Sequence, residues 1–310
     1  MKIQSLSILV PTGNKCVNNC PCCVSRLHDN CDDDRIGPAI RHRYVVPTSI
    51  EIERVFNDYI KRIQFVRDND CNFLVLTGTG EPIMNKEFLR WFGKVNNSLR
   101  KPFYAIDIQT TGVMLTDENL DFLKDEVGVT TIALSIFDLF DSKKNFEFLN
   151  TNSNLYFDID ELCKRIKAKG FNLRICIMLT NRYDNTLPEN MFLYLRELGA
   201  DQATFRTLYK VEGSVKDLSN KALEVNKWIR ENKCSEETVT YLQDYVVNNG
   251  TALNKLPFGA IKYSVDGIST VVDLTCMGKK QDPDEIFKFF ILKEDAKLFS
   301  EWDDEGSLIF

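Results

Sequence analysis

The run KCVNNCPCCVSR, residues 15–26, places Cys16, Cys20 and Cys23 in the spacing CxxxCxxC. Cysteine sulfur is a soft donor that selects zinc, copper(I) or iron–sulfur clusters, and a cubane cluster fully anchored for electron transfer normally takes four cysteines. Three on one short loop leave one iron without a protein ligand, and chemistry is expected at that open position. Cys22 is a competing thiol, but only Cys23 satisfies the spacing.

Other readings of the same cysteines lead elsewhere. A disulfide framework belongs to small secreted chains, and the opening MKIQSLSILVPTGNK has too short an apolar run for a signal peptide and no small-residue cleavage site. A cytoplasmic setting is therefore expected. Cys20, Cys23, His28 and Cys31 read CxxCxxxxHxxC, two residues short of a zinc knuckle that would bind single-stranded nucleic acid. That stretch runs into Asp32, Asp33 and Asp34, a poor surface for phosphates. Free cysteine also packs well in cores, and ten are scattered over the 310 residues.

A second motif, LVLTGTGEPIMN, runs from Leu74 to Asn85. An apolar run from Phe73 to Leu76 ends in Thr77-Gly78-Thr79-Gly80-Glu81-Pro82, and a helical pattern follows from Lys86 to Asn97. The order is strand, glycine turn, helix. Glycine permits close backbone approach, and carbonyls exposed at a strand's end can accept hydrogen bonds from an ammonium group.

Together the two motifs resemble those of the radical SAM superfamily. The resemblance implies a [4Fe-4S] cluster on Cys16, Cys20 and Cys23 whose open iron is chelated by the amino and carboxylate groups of S-adenosylmethionine (SAM). It implies reductive cleavage of the sulfonium bond to a 5′-deoxyadenosyl radical that abstracts hydrogen from a substrate. A small electron donor of flavodoxin or ferredoxin type is implied as well. The turn is similar to the GGE motif that holds the methionyl amino group, with Thr79 in place of its first glycine, and the GTGEP form is nearest to the GMGEP of the ribosomal RNA methylating branch. Thr79, Gly80 and Glu81 carry those contacts over. The family commonly has an aromatic residue before the third cysteine, near the adenine; this chain has Cys22, either a small apolar contact or a spare thiol.

Strand and helix signals alternate along the chain. Strands are expected at Ser5–Val10, Phe103–Gln109, Thr130–Ile136, Asn172–Leu179 and Gln202–Leu208, besides that of the second motif. Helices are expected from Thr48 or Ser49 to about Arg67, and at Asp117–Lys124, Asp158–Lys169, Glu189–Leu198 and Asn220–Glu231. Residues 24–47, interrupted by Gly37, Pro38 and Pro47, read as a covering segment. Alternation implies parallel pairing with right-handed crossovers, in an open sheet or a barrel. The resemblance selects an α/β fold, a partial (β/α)6 TIM-like barrel over residues 1–232, with a C-terminal β-hairpin extension over 233–310.

In such barrels the reactive groups stand at the C-terminal ends of the strands. Gln109-Thr110-Thr111-Gly112 ends the third strand and Ser135 the fourth; Thr110 and Ser135 are candidate contacts for a ribose or carboxylate. Asn181, in LTNRYDN, is a further candidate cofactor contact, as Asn185 is, and Arg206 in TFRTLY needs a carboxylate partner within an apolar strand. In the extension, AIKYS and ISTVVDLT flank an Asp266-Gly267 turn, and FKFFIL faces KLFSEW around Glu294 and Asp295. Cys276 is a candidate hydrogen-atom donor, or the acceptor cysteine of an RNA-base methylase, weighed against inert packing. Cys234 and Cys276 alone are too few for a further cluster.

The net charge of −6 gives no general attraction to nucleic acid, although Arg35, Arg41, His42 and Arg43 form a local basic stretch best read as a solvated loop. No run of 18 apolar residues interrupts the 44% hydrophobic content, so no membrane span is expected. The substrate class stays open among small molecules, nucleotides and peptides.

Overall fold

The computed structural model describes residues 2–12, 16–27, 49–209, 219–256, 260–273, 286–302 and 305–310. His28, Cys31, Asp32 to Asp34, Arg35, Arg41, His42, Arg43 and Cys276 lie outside the described residues. In chain order the strands are β1 (Lys2–Ile3), β2 (Ser5–Leu9), β3 (Phe73–Thr77), β4 (Ala105–Thr110), β5 (Thr131–Ile136), β6 (Asn172–Leu179), β7 (Gln202–Thr207), β8 (Thr251–Lys255), β9 (Ile261–Val265), β10 (Ile268–Asp273), β11 (Ile286–Phe287), β12 (Phe290–Leu292) and β13 (Leu298–Phe299). The helices are α1 (Val24–Leu27), α2 (Ser49–Asp68), α3 (Lys86–Ser98), α4 (Asp117–Phe122), α5 (Ser142–Leu149), α6 (Ile159–Ala168), α7 (Pro188–Glu197), α8 (Asn220–Asn232) and α9 (Glu236–Asn249).

Among the described residues, eleven strands form one sheet in the order β13-β12-β2-β3-β4-β5-β6-β7-β10-β9-β8. From β12 to β10 every neighbouring pair is parallel. The sequence explains this: a helix separates each strand from the next between β2 and β7, so the chain returns to start every strand at the same end. Short polar side chains start several helices of the chain by taking up free backbone N–H groups. Thr116 does so for α4, Asp158 for α6, Ser219 for α8 and Ser235 for α9.

The two faces of the sheet differ in chemistry. Leu74, Leu76, Ile108, Ile132, Leu134, Leu173 and Ile175 are fully buried, each worth about 1.5–3 kcal/mol relative to exposure. Gly112, at φ +92°, marks how tightly that layer packs: a side chain there would lie 2.7 Å from Leu162 of α6 and 2.8 Å from Leu134. The other face carries polar groups at alternate positions. The Arg174 guanidinium of β6 reaches across β5 to the Asp107 carboxylate of β4, 2.6 Å away, and its Nε donates to Gln202 of β7. Ala133 on β5, paired with Arg174, leaves room for that span.

The C-terminal segment joins both flanks of the sheet. β10 lies parallel to β7 and forms a hairpin with β9 through Asp266 (φ +50°) and Gly267 (φ +83°), the two left-handed residues that a tight hairpin turn requires. On the other flank, FKFFIL is not one strand: Phe287 pairs with Ile3, while Phe290–Leu292 pairs with β2. The break falls where the Ser5 hydroxyl donates to the Lys288 carbonyl. The helices α5 and α9 and the exposed strand β8 were not among the expected elements; eight residues of SKKNFEFL are too short for periodicity to announce a helix.

Glu294, in the turn between β12 and β13, is buried, and neither carboxylate oxygen has a hydrogen-bond partner. Its carbonyl accepts from the Tyr59 hydroxyl of α2. Burial, and secondarily the neighbouring Asp295 charge, push its carboxyl up to about 8. The folded state therefore favours the protonated form: stability is fully present below the ordinary glutamate range and is lost as pH rises toward 8. Denaturant melts should show stability falling between pH 5 and pH 9, and Glu294→Gln should flatten that fall. An unchanged pH slope in the variant would refute the assignment.

Candidate functional site

β2 and β3 end level, with Leu9 paired to Thr77, so the cysteine loop and the glycine turn leave the sheet side by side. Beyond the ladder, the Val10 amide donates to the Thr77 carbonyl at 2.6 Å. Gly78 makes this approach possible, since a side chain there would come within 2.8 Å of the Val10 carbonyl. The Thr79 hydroxyl lies 3.5 Å from that of Thr12. Asn85 fastens the turn's far end, capping α3 by accepting from the Phe88 amide and donating to the Pro11 carbonyl at 2.7 Å.

The cysteine loop is held from the opposite side by the end of α5. Asn150, at φ +47°, terminates that helix and turns the Leu149 carbonyl outward, where it accepts from the Asn19 amide at 2.9 Å and approaches Cys20 Sγ at 3.9 Å. Thr151 donates to the Val17 carbonyl. The Cys23 amide donates to the Cys20 carbonyl, curling the loop into α1.

Cys16 is exposed, Cys20 and Cys23 are half-buried, and Cys22 is buried within the hydrophobic core. Burial pushes the Cys20 thiol up, with the other thiols adding to it, and holds Cys22 at about 12. Loss of water also raises Cys16, against which the Asn18 and Glu81 amides act as donors to its sulfur. A metal must therefore displace protons to bind here, which coordination to iron readily does. Among the described residues no three His, Cys, Asp or Glu side chains converge on a single ion; a cubane asks instead for one thiolate per iron.

Glu81 is 3% exposed, and burial raises its carboxyl above the ordinary range. Its Oε2 accepts from the Thr111 amide at 3.1 Å and from the Thr111 hydroxyl at 2.9 Å. Its Oε1 is buried without a hydrogen-bond partner. Thr110 is buried; its hydroxyl accepts from the Gly112 amide and lies beside the same carboxyl. Thr111 was passed over in the sequence. The period of two along β4, with Asp107, Gln109 and Thr111 on one face, is the signal that finds it.

Ser135 is the penultimate residue of β5, partly buried, and Arg206 stands beside Met178 of β6 and Asp273 of β10. Asn181 follows β6 and donates to the Glu231 carbonyl. It lines a cavity of about 330 Å³ against the cysteine loop, with Asn19, Pro21, Thr180 and Trp228 on its walls.

The fold is one shared with solved structures of proteins bound to S-adenosylmethionine. SuiB of Streptococcus suis bound to S-adenosylmethionine superposes with a TM-score of 0.53 at 15% identity, over 96% of this chain and 60% of SuiB. Native anSMEcpe with bound AdoMet and Cp18Cys peptide gives 0.56 at 13% identity, over 98% of this chain and 75% of that one. The chain thus spans about three-fifths of SuiB's length. No protein-family model and no curated protein matches the sequence. No helix among the described residues is long and apolar enough to cross a membrane.

Proposed function

We propose that this chain is a radical SAM enzyme. The observation that carries the reading is the buried Glu81 carboxylate, with one oxygen unpartnered, at the turn that packs beside the Cys16–Cys23 loop. The donor set fits the group: three thiols on one loop for three irons, with buried acceptors alongside for an amino group. Cys16, Cys20 and Cys23 would hold the [4Fe-4S] cluster, the deeper placement of Cys22 in the core favouring Cys23 as the third ligand. Thr79, Gly80 and Glu81 would take the methionyl amino group. Thr110, Ser135 and Arg206 stand at or near strand ends, from which they would contact the rest of SAM, and Asn181 lines the adjoining cavity. When bound, cluster and SAM would supply reductive formation of a 5′-deoxyadenosyl radical.

The protein's own part is positional. The Gly78 approach and the Asn85 bridge fix the turn against the loop, and burial keeps water from Glu81. A small flavodoxin- or ferredoxin-type donor would deliver electrons. Substrates remain small molecules, nucleotides or peptides; peptides come first for assay because one structural neighbour is bound to a peptide. Anaerobic reconstitution should give brown protein with about four irons per chain and an electron paramagnetic resonance signal perturbed by SAM. Colourless protein with stoichiometric zinc would refute the proposal.

A further inference from the structure

The polar face of the sheet is concave. Ser264 of β9 pairs with Ser269, Ser269 with Gln202 and Gln202 with Arg174, so Lys262, two residues from Ser264, shares the face of Arg174 and Asp107. Burial raises the Asp107 carboxyl, and Arg174, then Thr131, then the Lys262 ammonium pull it back. Five steps of about 4.8 Å separate β4 from β9 in the sheet order, about 24 Å were the sheet flat, a distance at which such a charge would be screened. The sheet therefore curls and brings β9 round to face β4. The enclosed face stays accessible: Gln109, Ser135, Met178 and Thr204 are half-buried on it, whereas the residues on either side of each along its strand are buried.

Around Asp107 the uncommitted groups are donors. The Thr77 hydroxyl donates to Gln109 Oε1 at 3.0 Å, which occupies the oxygen end of that amide and leaves the Nε2 hydrogens for another partner. Lys262 is half-buried and forms no ion pair among the described residues. Arg174 reaches Asp107 at 2.6 Å and lies over the Phe73 ring, closing the floor. Two cations thus stand against one carboxylate, and the complement of that single excess charge is a singly charged acceptor. A phosphate dianion would leave negative charge uncompensated. Nearer the strand ends, Arg206 and Asp273, opposite in sign, pair in register.

We propose that Lys262 and Gln109, on facing walls of the curled sheet, bind a carboxylate of the substrate above the Asp107–Arg174 pair. The proposal rests on the radical SAM reading for the role of the bound molecule as hydrogen donor, and it narrows the substrate to acids.

The test is a ligand-observed NMR titration of the full-length chain, without cluster or SAM, with N-acetylglycine, N-acetylglycinamide and inorganic phosphate. The acid should bind about tenfold or more tightly than its amide, the effect of a hydrogen-bonded charge. Lys262→Met should remove that preference and Lys262→Arg should keep it. Gln109→Glu, on the other wall, should abolish binding of the acid through like-charge repulsion, which keeps the proposal testable if Lys262→Met fails to fold. Equal binding of acid and amide would overturn the proposal, as would a preference that survives in both Lys262→Met and Gln109→Glu, or phosphate displacing N-acetylglycine at a tenth of its concentration. Because the titration uses neither cluster nor SAM, its failure leaves the radical SAM reading standing; failure to form 5′-deoxyadenosine from SAM sinks that reading, and with it the role of the bound acid as substrate.

Discussion

Replacing Cys16, Cys20 or Cys23 with alanine should abolish cluster assembly, dropping iron from about four per chain to below about one, whereas Cys22→Ala should retain the full complement. The reasoning is positional. Cys22 lies within the hydrophobic core, while the other three are exposed or half-buried around the loop. Removing the Cys22 thiol should cost only the small packing loss of a shortened core side chain, about 1 kcal/mol. Circular dichroism separates lost ligation from lost fold, since each variant should keep its helix content. A full cluster in Cys23→Ala together with its loss in Cys22→Ala would exchange the two assignments.

The second large effect concerns stability. Asp107 is almost wholly buried, and burial already raises its carboxyl, with the Arg174 guanidinium and then the Thr131 hydroxyl pulling it back. Arg174→Ala removes the chief opposing charge and leaves a buried carboxylate, which should cost about 3 kcal/mol. Because the carboxyl then moves further up, that loss should be greater at pH 8 than at pH 4: a carboxyl raised in the folded state loses stability as pH rises. Converting Asp107 to Asn in the same background should recover part of the loss. Urea melts showing less than about 1 kcal/mol for Arg174→Ala at pH 8 would contradict this account of the polar face.

How far the sequence carried these conclusions follows from which interactions are local. The CxxxCxxC spacing, the strand–turn–helix around Thr77 to Lys86 and the strand–helix alternation are contiguous, so each could be read in place. The pairing of β10 with β7 and of β12 with β2 joins residues far apart in the chain, and no local pattern announces which flank a hairpin will take. In the site, Glu81 was legible because the contiguous GTGEP turn resembles the GGE motif. Thr111 was not, because choosing between adjacent threonines requires knowing which face of β4 meets the turn. Asn181 and Arg206 were named from strand ends, and the structure adds the cavity beside the first and the Asp273 neighbour of the second.

The most direct test of the central claim is chromatography and mass spectrometry of the nucleoside products formed when anaerobically reconstituted protein is mixed with SAM and a strong reductant. The account predicts 5′-deoxyadenosine and methionine from wild-type protein and neither from Cys20→Ala. Unchanged SAM in the presence of a fully assembled and reduced cluster would contradict it.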